Sequence, residues 1–179
     1  YKTNLYTSPH LLSYTERYVF EDKEINEEDL IELLTDVEKT LADDNATLFE
    51  ILTCAFLKYA ENFKDNINII EAGLFHQFDS TNVFNENLLT LIGVIHNDHF
   101  QWLENKSIDG VIHEKTAKLL NSNIFVNKQV NNEIRDKIEQ SLENNTSNKY
   151  YFGKDFNITK SKNGFIQYQD GLGELVLPE

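Results

Sequence analysis

The sequence predicts an α/β fold, a mostly parallel sheet flanked by helices and followed by a C-terminal antiparallel hairpin appendage. Segments with apolar residues at helical spacing alternate with short runs of Ile, Leu and Val, the pattern of parallel strands buried on both faces. Such alternation is what crossover helices between parallel strands require. From Lys149 onward the pattern changes to short strands punctuated by Lys162-Asn163-Gly164 and Asp170-Gly171, which are turn signals for antiparallel pairing. The expected organisation is one domain over residues 1–148 with the appendage over 149–179.

The elements follow in order. NLYT reads as a strand stopped by Ser8-Pro9. INEEDLIELLTDVEKTL puts Leu30, Leu33, Leu34, Val37 and Leu41 on one helical face, with Asn26 as N-cap and acids in the first turn. In TLFEILTCAFLKYAENF, Thr47 and Glu50 have capping-box spacing ahead of an apolar stripe of Leu52, Ala55, Phe56, Tyr59 and Phe63. INIIEAGL and LLTLIGVI read as strands buried on both faces. A helix from about Ser107 to Leu120, a strand NIFV and a helix from about Asn131 to Leu142 continue the alternation.

A chain of 179 residues with 40% hydrophobic content can bury a sizeable core. Its formal charge of -14 disfavours nucleic acid and anionic membrane surfaces as partners. No run approaches the roughly 18 apolar residues of a membrane span, and no basic segment precedes an apolar signal core, so a cytoplasmic protein is expected. The single cysteine, Cys54, suits a reducing compartment and, with apolar neighbours, reads as a buried thiol. The absence of Met points to a processed or partial chain.

Three predicted strands end at chemically useful residues: Ser8 after NLYT, Glu71 after INII, and His99 shortly after LTLIGVI. Ligands of open α/β sheets bind at the carboxyl ends of strands, so these residues can converge. A hydroxyl, a carboxylate and an imidazole together suit a divalent ion beside nucleotide phosphate.

YTSPHL with Glu16-Arg17, Thr47-x-Phe49-Glu50, Glu71-Ala72-Gly73-Leu74, Asp79-Ser80-Thr81-Asn82, Asp98-His99, Trp102-Leu103 and Glu114-Lys115 together resemble the folylpolyglutamate synthase and dihydrofolate synthase family of the Mur ligase superfamily. The resemblance is strong over residues 1–20 and 47–118 and looser in the tail. It implies a partial Mur ligase-like ATPase domain in a cytoplasmic, monomeric enzyme that uses ATP and Mg²⁺. Such an enzyme turns a folate or dihydropteroate carboxylate into an acyl phosphate, which the amine of glutamate attacks. It further implies that Ser8, Glu71 and His99 are magnesium ligands and that His99 and Lys115 serve catalysis. Lys115 would act as a carbamate holding a second ion. Thr47, Phe49 and Asp79 would contact the pterin, although Thr47 is also an N-cap and Phe49 also suits the core.

The chain departs from the family at Gly73-Leu74-Phe75-His76-Gln77, where relatives read Gly-Leu-Gly-Gly-Arg, and at Glu114-Lys115-Thr116-Ala117, where they read Glu-Lys-Ala-Gly. It also holds no Gly-rich loop ending in Gly-Lys-Ser or Gly-Lys-Thr, so nucleotide-contacting residues are not assigned. The expectation is a central piece of the enzyme that does not turn over alone. Two alternatives stay open, a catalytically silent relative that binds a folate or a protein, and another Mur-type amide ligase.

Overall fold

The computed structural model describes residues 1–119, 121–160 and 164–178, which form two compact units, Tyr1–Val83 and Phe84–Glu179. The expected turn at Lys162-Asn163 lies outside the described residues. Among the described residues no helix is long and apolar enough to cross a membrane.

The first unit contains strands β1 (Thr3–Tyr6), β2 (Tyr18–Phe20) and β3 (Lys23–Glu24), helices α1 (Glu27–Leu41) and α2 (Leu48–Ala60), and strand β4 (Ile67–Ile70). Its sheet runs β3-β2-β1-β4, with β1 parallel to β4 and antiparallel to β2. Both helix starts form as expected. Asn26 accepts the Asp29 amide at 2.8 Å, and Thr47 and Glu50 close a reciprocal capping box. The apolar faces of α1 and α2 meet the sheet around Phe56, whose ring lies 5.1 Å from that of Tyr6 and 5.4 Å from that of Phe20.

Two polar groups are built into this core. Asn4 is fully buried and bonds both Asn68, its partner across the β1–β4 pair, at 2.8 Å and Asn66 at 2.9 Å. Thr53 is buried on α2, where its hydroxyl meets the Tyr6 phenol at 3.3 Å. Cys54, expected to be buried, is exposed. The buried face of α2 is Leu52, Thr53, Ala55, Phe56 and Ala60, and helical geometry turns Cys54 out of it despite its apolar neighbours.

The second unit contains strand β5 (Glu86–Ile92), helix α3 (Ile108–Thr116), strand β6 (Asn121–Val126), helix α4 (Asn132–Ser141), and strands β7 (Lys149–Tyr151), β8 (Phe156–Lys160), β9 (Phe165–Asp170) and β10 (Gly173–Pro178). A parallel sheet β5-β6-β7 and an antiparallel sheet β8-β9-β10 result. Lys149–Tyr151, expected at the head of the antiparallel tail, instead joins the parallel sheet beside β6. The tail begins at Phe156, whose buried ring packs 5.5 Å from that of Phe125.

Helix α3 stops at Thr116, short of Leu120, because Ala117 is extended and Lys118 takes a left-handed φ of 56°. A further expectation fails at β4 and β5, which are not buried on both faces. Each is the edge strand of its own sheet, and Ile69, Leu88 and Leu91 are exposed.

Truncation of Phe56 to Ala should cost about 3–5 kcal/mol by leaving a cavity among Tyr6, Phe20 and α1, measurable by urea unfolding followed by circular dichroism. A loss under about 1 kcal/mol would mean that this ring does not organise the core. The capping box carries its own pH dependence. Bonds from the Thr47 backbone amide and hydroxyl hold the Glu50 carboxyl below its ordinary value of 4.5. Its stabilisation is therefore complete above about pH 4.5 and is lost as pH falls through the folded value. Glu50→Gln should flatten the acid limb of the stability profile, and an unchanged limb would exclude this carboxylate as a contributor.

Candidate site at the strand ends

Parallel pairing of β1 with β4 sets Tyr6 opposite Ile70, so Thr7-Ser8 and Glu71 leave the sheet side by side at its carboxyl end. The Glu71 amide donates to the Tyr6 carbonyl at 2.9 Å, continuing the ladder by one step. The Ser8 amide then donates to Glu71 Oε2 at 2.7 Å. Ser8 is half-buried and Glu71 exposed. The bond to the Ser8 amide occupies one oxygen of Glu71, and the Ser8 hydroxyl makes no protein hydrogen bond among the described residues. The contact that joins the two residues is through the Ser8 backbone amide, and a serine hydroxyl and a glutamate carboxylate are oxygen groups of the kind that suit a hard ion such as Mg²⁺ or Mn²⁺.

Beyond Glu71 the chain folds back on itself under one side chain. Asp79 Oδ2 accepts the amides of Gly73 at 3.0 Å and Leu74 at 3.1 Å, while Oδ1 accepts the amide and the hydroxyl of Thr81 at 3.0 and 2.6 Å. A carboxylate has about four lone-pair sites, and the protein fills them all. Ser80 ties the same loop to α2 through the Thr53 hydroxyl at 2.9 Å.

Phe49 lies directly against Gly73. A Cβ at that position would stand 2.5 Å from Phe49 Cε1, so only glycine permits the approach. The Phe49 ring also stacks 6.0 Å from that of Tyr6. Phe49, Gly73 and Asp79 thus form one cluster. The nearby Thr47 hydroxyl is engaged in the helix cap, 2.7 Å from Glu50. Phe75, His76 and Gln77 are half-buried, whereas Phe78 points out, 78% exposed.

His99 and Lys115 belong to the second unit. His99 takes a left-handed φ of 55° ahead of a short 3-10 turn, and its Nε2 lies 3.2 Å from Asp98, a carboxylate contact of the kind that orients metal-ligating histidines. Lys115 is half-buried in the last turn of α3. No group of three or more His, Cys, Asp or Glu side chains able to hold a metal is found among the described residues.

Three residues around Ser8 carry no site role in the sequence reading: His10, Glu16 and Arg17. Arg17 is 9% exposed, and its Nε donates to His10 Nδ1 at 2.9 Å. The Ser13-x-x-Glu16 spacing of a capping box was the available signal for Glu16.

No protein-family model matches the chain. Among curated proteins it is 38% identical over 124 residues to the dihydrofolate synthase/folylpolyglutamate synthase of Bacillus subtilis, covering 65% of this chain and 28% of that protein. It is 31% identical over 103 residues to the enzyme of the same name from Escherichia coli, covering 58% of this chain and 24% of that protein. The chain thus spans about a quarter of the length of these relatives. Among solved structures, an FPGS–AMPPCP–folate complex superposes with a TM-score of 0.81 at 22% identity, over 99% of this chain and 46% of that one. The Escherichia coli FolC complex with DHPP and ADP gives 0.80 at 24% identity, over 98% and 41%. A bifunctional synthase from Yersinia pestis with AMPPNP and a Mn ion gives 0.82 at 24% identity, over 97% and 41%. The solved structures share the fold, and the curated proteins to which the chain is similar, at 31–38% identity, are dihydrofolate synthase/folylpolyglutamate synthases.

Proposed function

We propose that the protein carrying this chain is an ATP-dependent carbon–nitrogen ligase that adds glutamate to a folate or dihydropteroate carboxylate. The observation that carries this reading is the Ser8–Glu71 pair at the carboxyl ends of β1 and β4, in a chain whose curated relatives bear the names of such ligases. In the proposed reaction the terminal phosphoryl group of ATP passes to the substrate carboxylate, giving an acyl phosphate and ADP. The amine of glutamate attacks the acyl carbon, inorganic phosphate leaves, and the nitrogen loses a proton as the amide forms.

Ser8 and Glu71 would hold a divalent ion through oxygen, and the Mn ion in the Yersinia pestis complex supports that class of metal. Mg²⁺ is our specific choice. When bound, the ion would offset negative charge on the phosphates. His99 and Lys115 are assigned to the same function by their match to the family motifs, Lys115 as a carbamate. ATP, glutamate and the pteroyl substrate are the proposed ligands of a monomeric enzyme.

Phe49 offers a ring face to the pterin. Asp79 enters differently, because its carboxylate would bond a heterocycle only by giving up an amide of Gly73 or Leu74. Its first role in this reading is to shape the loop against Phe49. A silent folate-binding relative is the second reading, favoured by Phe75-His76-Gln77 standing where relatives carry Gly-Gly-Arg.

Ser8→Ala and Glu71→Ala in the protein that carries this chain should lower ATP-dependent ligation by about 10- to 100-fold, most at limiting Mg²⁺, with thermal stability unchanged. Near wild-type turnover at limiting Mg²⁺ would remove both from metal binding. Pteroyl binding without any ligation in the unaltered protein would establish the silent reading. Asp79→Asn should speed amide hydrogen exchange at Gly73 and Leu74 and weaken pteroyl binding together. Lost pteroyl binding with exchange unchanged would instead make Asp79 a direct contact.

A further inference from the structure

Between Ser8 and the 3-10 turn Tyr14–Arg17 the chain has no regular secondary structure, and apolar burial does not order its tip. Leu11 and Leu12 are 89% and 94% exposed. What orders the tip is a single carboxylate. Glu16 Oε2 accepts the Leu11 amide at 2.8 Å, and Oε1 accepts the amides of Leu12 at 2.8 Å and Ser13 at 2.7 Å. Three consecutive backbone amides thus converge on one anion, the arrangement by which loops elsewhere hold phosphate, here with an internal occupant. The Leu11, Ser13 and Leu12 amides hold the Glu16 carboxyl below its ordinary range, so it is ionised at neutral pH.

The base of the loop is pinned from the other side. The Thr7 amide donates to the Arg17 carbonyl at 3.1 Å. The buried Arg17 guanidinium donates to His10 Nδ1 and lies 5.6 Å from the Tyr14 ring centre, and the His10 and Tyr14 rings are 4.1 Å apart. Ser8 therefore sits between a strand end locked to β4 and a loop locked to the Glu16–Arg17 turn.

We propose that Glu16 is a positioning residue for the Ser8–Glu71 pair, fixing Ser8, whose amide bonds Glu71, by tying down the loop that follows it. Arg17, through His10, completes the clamp. The claim rests on the metal-site reading given above. It adds that the site is preorganised by a residue that touches neither metal nor substrate.

The test substitutes Glu16→Gln, which keeps size and removes the charge and one acceptor, and Glu16→Asp, which keeps the charge but falls one methylene short of the three amides. Two readouts separate positioning from general support. In amide hydrogen exchange, both variants should speed exchange at Leu11, Leu12 and Ser13, and also at Ser8, whose amide bonds Glu71, by about tenfold, with the β2 amides unchanged. In activity, the Mn²⁺ concentration for half-maximal ATP-dependent ligation should rise about tenfold, while kcat at saturating Mn²⁺ stays within about twofold. Faster exchange at residues 11–13 with Ser8 unmoved would overturn the proposal, because the clamp would then be local to the tip. A fall in kcat at unchanged Mn²⁺ requirement would overturn it too. Should Glu71→Ala leave ligation intact, the metal reading fails, while exchange at Ser8 still decides whether Glu16 positions that residue.

Discussion

The candidate site depends on the register of β1 against β4. Strand side chains alternate faces, so slipping one strand by a single residue would turn Asn4 and Tyr6 out of the core and carry Ser8 away from Glu71. Two kinds of force hold the register. Tyr6 is fully buried among Tyr18, Phe49 and Phe56, and it has no comparable place on the opposite face. Asn4, also fully buried, satisfies its amide through Asn68 and Asn66, and a slip would leave these groups unpaired in a medium where that is costly. A core of aromatic rings supplies the stability, and one buried amide supplies the choice of partner.

The same core reaches the second half of the site through polar groups. Tyr6 meets Thr53, and Thr53 meets Ser80, so β1, α2 and the loop after β4 share one chain of hydroxyls. Burial raises the Tyr6 phenol above its ordinary pKa, so it stays protonated and able to donate at neutral pH. Thr53 also donates back to the Phe49 carbonyl at 2.8 Å, which places the turn carrying Phe49 in the same network. Ser8 therefore continues the strand that Tyr6 anchors, and Phe49 sits on the helix that the Tyr6 phenol contacts.

What was legible in the sequence was local. Helix starts at Asn26, Thr47, Ser107 and Asn131 are written in short side chains that bond the backbone three residues on, and all four form. The meeting of Ser8 with Glu71 was legible because strand ends of a parallel pair emerge together. What was not legible depended on distant partners. Cys54 has apolar neighbours in sequence but lies off the face that meets the sheet, and β5 reads as a buried strand but is an edge. Asp79 reads as an available carboxylate, and only the fold shows that Gly73, Leu74 and Thr81 have filled it. Glu16 has the capping-box spacing from Ser13, but the amides it accepts from Leu11 and Leu12 come from a loop whose path no periodicity encodes.

The departure at Phe75-His76-Gln77 gains a physical reading from these contacts. The glycine demanded by close approach is Gly73, where a side chain would collide with Phe49, and this chain keeps it. Replacing the later pair by Phe75 and His76 therefore leaves the Phe49–Gly73 contact and the Asp79 clamp intact, and both new side chains are accommodated half-buried. The missing arginine is a different matter, since a guanidinium offers a fixed planar fork of donors that Gln77 cannot reproduce. The packing of this loop and the charge it carries are thus separable. The loop keeps the Phe49–Gly73 packing and the Asp79 clamp while carrying a neutral amide at Gln77.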